Sequence, residues 1–122
     1  MGSLVACDYS EGMQRVGGDF VLLNQVLVIF LDEMPKMRAA IKKYAEEGNS
    51  RLLWNESHKM KGAAGHFGGA QLVHILEQIE AFAKKDDFSS AISLLDSLAQ
   101  ATDRFKLCIS QWQNSPGNSV IV

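Results

Sequence analysis

Residues 53–68 read Leu53-Trp54-Asn55-Glu56-Ser57-His58-Lys59-Met60-Lys61-Gly62-Ala63-Ala64-Gly65-His66-Phe67-Gly68. Wound at about 100° per residue, Leu53, Ser57, Met60, Ala64 and Phe67 fall on one stripe, the pattern of a helix with one buried side. His58, Gly62 and Gly65 share a different face, with Lys61 at its border. Two glycines inside a helix cost about 1 kcal/mol each relative to alanine, so helix stability does not explain them. Bare backbone beside an outward histidine suits the close approach of a large partner to His58.

The same period extends in both directions. Downstream, Gly68-Gly69 stops the helix, and a fourth helix is predicted over residues 70–84 with Leu72, Ile75, Leu76, Ile79 and Phe82 on one side. Asp86-Asp87 supplies a turn and a cap, and a fifth helix is predicted over residues 88–113 with Leu94, Leu95, Leu98, Phe105 and Ile109 inward. Upstream, Ser50 is the expected cap of the His58 helix, and Gly48-Asn49 ends a long helix over residues 20–47 that Asp19 caps. Ser10 is the expected cap of a short first helix over residues 11–16, closed by Gly17-Gly18. Ten of the twelve residues from Phe20 to Leu31 are apolar, more than a one-sided helix requires. Either the short first helix covers the surplus, or some of it, around Leu27, Leu31 and Met34, stays open as a docking patch. Pro35 is expected to kink or restart this helix.

No alternating strand run interrupts the helical spacing, so the fold class is all-α. Short connections between long helices imply antiparallel neighbours: an up-down four-helix bundle with a short additional N-terminal helix. The 122 residues are read as one domain, with residues 1–9 and 114–122 as frayed tails. A net charge of −2 with scattered Lys and Arg argues against nucleic acid as the main partner. Cys7 and Cys108 have no metal-ligand spacing and are expected to be reduced thiols. Leu4-Val5-Ala6-Cys7 resembles a lipoprotein cleavage box but lacks the preceding apolar stretch, and the run Val26 to Leu31 is too short to cross a bilayer. A cytoplasmic monomer without membrane contact is the expectation.

The run His58-Lys59-Met60-Lys61-Gly62-Ala63-Ala64-Gly65, followed by Phe67-Gly68, Leu72 and the pair Ile79-Glu80, resembles the signature of histidine-containing phosphotransfer (HPt) domains. Gly12, Arg15, Gly18-Asp19 and Phe30 resemble the N-terminal half of such domains, so the likeness spans residues 8–110. His66 stands where a small polar residue is commoner, and Ile79 replaces the usual leucine. The resemblance implies that His58 is phosphorylated and that the chain carries phosphoryl groups between response-regulator receiver domains, including those of a hybrid sensor histidine kinase. It implies a carrier without autokinase activity.

That chemistry suits these residues. A receiver presents an aspartyl phosphate, which a neutral imidazole nitrogen can attack in line. Lys61, one turn away, can stabilise the charge on the transferring group, while Gly62 and Gly65 admit the receiver. No bound cofactor is expected, and the receiver's acidic pocket is expected to supply magnesium. The family implies that Glu80 reaches the Nδ1 hydrogen of His58 and leaves Nε2 as nucleophile; the alternative is a solvated surface carboxylate. Lys59 adds local positive potential, His66 and His74 are structural or solvent-facing, and Trp54 and Trp112 are packing residues. Two other readings are a chemotaxis-kinase type of phosphoacceptor domain, fed by a separate kinase domain, and a helical adaptor without phosphoryl chemistry.

Overall fold

The computed structural model describes residues 4–114, and among them the only regular elements are six helices. They are α1 (Tyr9–Arg15), α2 (Phe20–Glu47), α3 (Ser50–Gly65), α4 (Ala70–Lys84), α5 (Phe88–Ser93) and α6 (Leu95–Asn114). Helix α2 packs on α3, α3 on α4, and α4 on α5 and α6, while α6 returns to α2. The predicted stripe faces inward: Leu53, Ser57, Met60 and Ala64 are fully buried and Phe67 nearly so. Leu72, Leu76 and Ile79 meet them from α4, and Leu98, Phe105 and Ile109 from α6. Phe30, Phe67 and Phe105 form an aromatic knot with centroids 5.5–6.2 Å apart, joining α2 and α6 to the end of α3.

Local chemistry sets the helix ends. Asp19 accepts from the Leu22 N–H, as its position before the apolar run predicts. The other N-terminal caps shift by one or two residues. Asp8, not Ser10, caps α1 through the Glu11 N–H, and Asn49, not Ser50, caps α3 through the Leu52 N–H. Asp87 caps α5 by accepting from both the hydroxyl and the N–H of Ser90. These bonds, the hydroxyl's first, hold the Asp87 carboxyl below its ordinary range. The ionised cap is therefore kept at neutral pH and lost as pH falls through that lowered value.

Three expectations about the helices need correction. Of the two outcomes expected at Pro35, a restart does not occur: α2 is one continuous helix through it. Pro35 is exposed and supplies no N–H to the carbonyl one turn back, a loss that is tolerated on a helix face open to water. The predicted fifth helix is divided at Leu94, where the Ser93 hydroxyl donates to the Ser90 carbonyl and competes with the backbone ladder. Of the expected patch, Leu27 and Met34 are buried and only Leu31 is partly exposed; Val21, Leu22, Val26, Val28 and Ile29 are the large exposed apolar residues of α2.

The N-terminal segment also departs from expectation. Residues 4–9 are held instead of frayed: Asp8 N–H donates to the Phe67 carbonyl, and Gln71 donates from its backbone to Val5 and from its side chain to Leu4. Cys7 and Cys108, expected as separate thiols, form a disulfide with Cα atoms 6.1 Å apart across 101 residues of sequence. The bundle brings α6 alongside the N-terminal segment, an adjacency that no local spacing encodes. Residues 1–3 and 115–122, the remainder of the expected tails, lie outside the described residues.

Gly68 lets this segment lie down. Its φ is +62°, and an added Cβ would run into the Asp8 Cβ and stand 3.0 Å from the Asp8 nitrogen. Left-handed strain and overpacking together predict that Gly68→Ala destabilises by about 2–4 kcal/mol in a urea melt. An unchanged midpoint would show that the segment does not rest on Gly68 in solution.

Candidate functional site

Helices α3 and α4 run side by side, which places Glu80 opposite His58 although 22 residues separate them. The Glu80 Oε2 lies 2.8 Å from His58 Nδ1, and Lys61 Nζ donates to Glu80 Oε1 at 2.9 Å. A carboxylate only 8% exposed is costly to desolvate unless its oxygens are paired, and here each oxygen has a partner. A Glu80 carboxylate paired with the Lys61 ammonium can only accept, so this contact suits the tautomer with its hydrogen on Nδ1. In the neutral ring this leaves the lone pair on Nε2. The His58 side chain is 55% exposed, so its outer edge is reachable from solvent.

Bare backbone adjoins the imidazole. A Cβ at Gly62 would meet nothing within 4 Å, so no helix of the bundle occupies that space. Gly65 is less open, with Val73 Cγ2 4.0 Å from an added Cβ. Lys59, expected to add positive potential, is paired with Glu56 at 3.0 Å and its charge is locally offset. His66 and His74 are exposed and lie apart from the His58–Glu80–Lys61 cluster.

Two further residues complete the surroundings. The indole of Trp54, read from sequence as packing alone, stacks on the His58 ring with centroids 4.6 Å apart and planes 10° from parallel. Lys84 Nζ sits 5.7 Å from the centre of that indole. Trp54, His58, Lys61, Glu80 and Lys84 line a shallow cavity of about 350 Å³. The i, i+4 spacings of Trp54 to His58 and of Glu80 to Lys84 were available signals, since each pair shares a helix face. Trp112, by contrast, is a core residue, 6% exposed and edge-on to Tyr9.

On the other side of α3, an apolar groove of about 470 Å³ is lined by Leu22, Val26 and Ile29 of α2 and by Ala63 and His66. By helical spacing, Gly62 lies between this groove and His58. Among the described residues, no helix is long and apolar enough to cross a membrane.

The family model described as the Hpt domain matches residues 25–115. No curated protein matches the chain in sequence. Among solved structures, the HPt domain of an Hpt sensor hybrid histidine kinase from Shewanella superposes with a TM-score of 0.69 at 21% identity. The match covers 89% of this chain and 97% of that one, and it shows a shared helical-bundle fold.

Proposed function

Since this chain belongs to the Hpt domain family, whose members serve phosphotransfer in two-component systems, we propose that it accepts a phosphoryl group on His58 from a receiver aspartyl phosphate and passes it to another receiver aspartate. The observation that carries this reading is the shared carboxylate: Glu80 binds His58 at Nδ1 and Lys61 at Nζ, leaving Nε2 outward. In transfer, the Nε2–P bond forms as the P–O bond of the acyl phosphate breaks, and the receiver aspartate leaves as its carboxylate. Nδ1 keeps its hydrogen, so the phosphorylated ring is cationic and Glu80 opposes that charge. Lys61 stands one turn away to meet the oxygens of the transferring group. The return step reverses these bonds.

The chain acts in this reading as a monomeric cytoplasmic carrier without autokinase activity, and the receiver supplies magnesium. A Cys7–Cys108 disulfide is unusual in that compartment.

The receiver closes over Gly62 and seats on the apolar groove beyond it. Gly62→Gln tests this. The open space around Gly62 excludes overpacking, so the variant should be as stable as the parent or firmer by about 0.5 kcal/mol. Transfer from a phosphorylated receiver should slow and receiver binding should weaken. Labelling by phosphoramidate, a small donor, should be unchanged. Equal transfer by both proteins would remove docking as the reason for a bare Gly62.

A further inference from the structure

We propose that Trp54 is a positioning residue for phosphoryl transfer, its indole setting the plane of the His58 imidazole. The inference rests on the reading of His58 as the phosphoacceptor and assigns Trp54 a role beyond packing. An imidazole has two side-chain torsions, and the second is broad, so a ring on an exposed helix face sweeps a wide arc. Around His58 very little restricts it. The side chain is 55% exposed, and the neighbouring Gly62 offers no atoms to lean on. The hydrogen bond from Nδ1 to Glu80 fixes one atom of the ring but leaves its plane free to rock about that point.

The indole removes this freedom. Trp54 precedes His58 by four residues, so both rings project from the same face, one turn apart. Their planes are 10° from parallel with centroids 4.6 Å apart, an offset stack of the indole on one face of the imidazole. Trp54 is itself held, half-buried against the core and with the Lys84 ammonium over its ring. A half-buried aromatic packed against the core is a suitable stop for a mobile one.

The geometry has a direct chemical consequence. The Nε2 lone pair lies in the imidazole plane, so fixing that plane fixes the direction of in-line attack on phosphorus. Glu80 chooses which nitrogen attacks, and Trp54 chooses the line along which it does so. Because the stack acts on the nucleophile and not on the receiver, its loss should slow small and large phosphodonors alike. This separates the proposal from a docking role.

The experiment compares parent, Trp54→Ala and Trp54→Phe in the full chain with two donors, a phosphorylated receiver and phosphoramidate. Trp54→Ala should slow labelling of His58 on the order of tenfold with both donors. Trp54→Phe should recover most of that loss, because phenyl retains a flat stacking face. In the parent, the ring-current shift of the His58 carbon-bound protons should place them upfield, and Trp54→Ala should release them. Thermal melts check that each variant is folded; if Trp54→Ala does not fold, Trp54→Phe and the parent's ring-current shifts decide. His58 protons without the upfield displacement in the parent would overturn the proposal. So would unchanged phosphoramidate labelling in Trp54→Ala, and slowing with the receiver alone would make the indole a docking contact instead. Label that persists in His58→Gln would sink the phosphoacceptor reading itself, an outcome distinct from His58-dependent labelling that ignores Trp54.

Discussion

Replacing His58 with glutamine should abolish acid-labile labelling from a phosphorylated receiver while leaving the protein folded. No other histidine can substitute. His66 and His74 are exposed, but neither has the buried carboxylate and lysine that flank His58. Glutamine is close to histidine in size but has no nucleophilic ring nitrogen, and its flexible side chain can turn its amide N–H toward Glu80. The buried carboxylate thus keeps a donor, and the outer half of the side chain was already in water. With a donor to Glu80 kept and Lys61 still paired, the change should cost no more than about 1 kcal/mol, so the melting curve should move little. The assay is a transfer reaction with labelled phospho-receiver, followed by acid treatment and mapping of the labelled peptide. Label on His66 or His74 in the variant would refute the assignment.

Lys61→Ala should slow transfer by tenfold to a thousandfold, the usual range for removing one donor aimed at developing negative charge. Its structural cost is separate and smaller. Glu80 loses one of its two partners but keeps His58, which costs about 1–2 kcal/mol for a hydrogen-bonded charge in a partly buried site. A domain stable by about 5–15 kcal/mol remains folded after such a loss, so slow transfer would not reflect unfolding. Stopped-flow transfer kinetics and a urea melt on the same preparation distinguish the two effects. Unchanged kinetics would mean that Lys61 serves only to neutralise Glu80.

Much of this molecule was legible in local spacing. The stripe Leu53, Ser57, Met60, Ala64 and Phe67 repeats at helical period, and all five are buried. Asp19 and Asp87 announce their caps, since a carboxylate beside free N–H groups is favourable wherever the rest of the chain goes. His58, Lys61 and Gly62 occupy one turn, so their mutual placement is set by the helix alone. These features depend on residues three or four apart, whose geometry a helix dictates without reference to any other element.

Tertiary structure decided what faces them. Glu80 reads as a surface carboxylate from its own helix, and only the packing of α4 against α3 buries it between His58 and Lys61. Trp54 reads as a core residue because its apolar surface suits either role; helical spacing puts it one turn from His58 but does not say whether the indole faces the core or the imidazole. The pairing of Cys7 with Cys108 and the placement of Asp8 over Gly68 follow from how the N-terminal segment crosses the ends of α3 and α6. Helical periodicity determines which face of each helix is apolar. The angle and register at which two such faces meet are set by side-chain packing along the whole bundle, and those contacts choose the partners of His58.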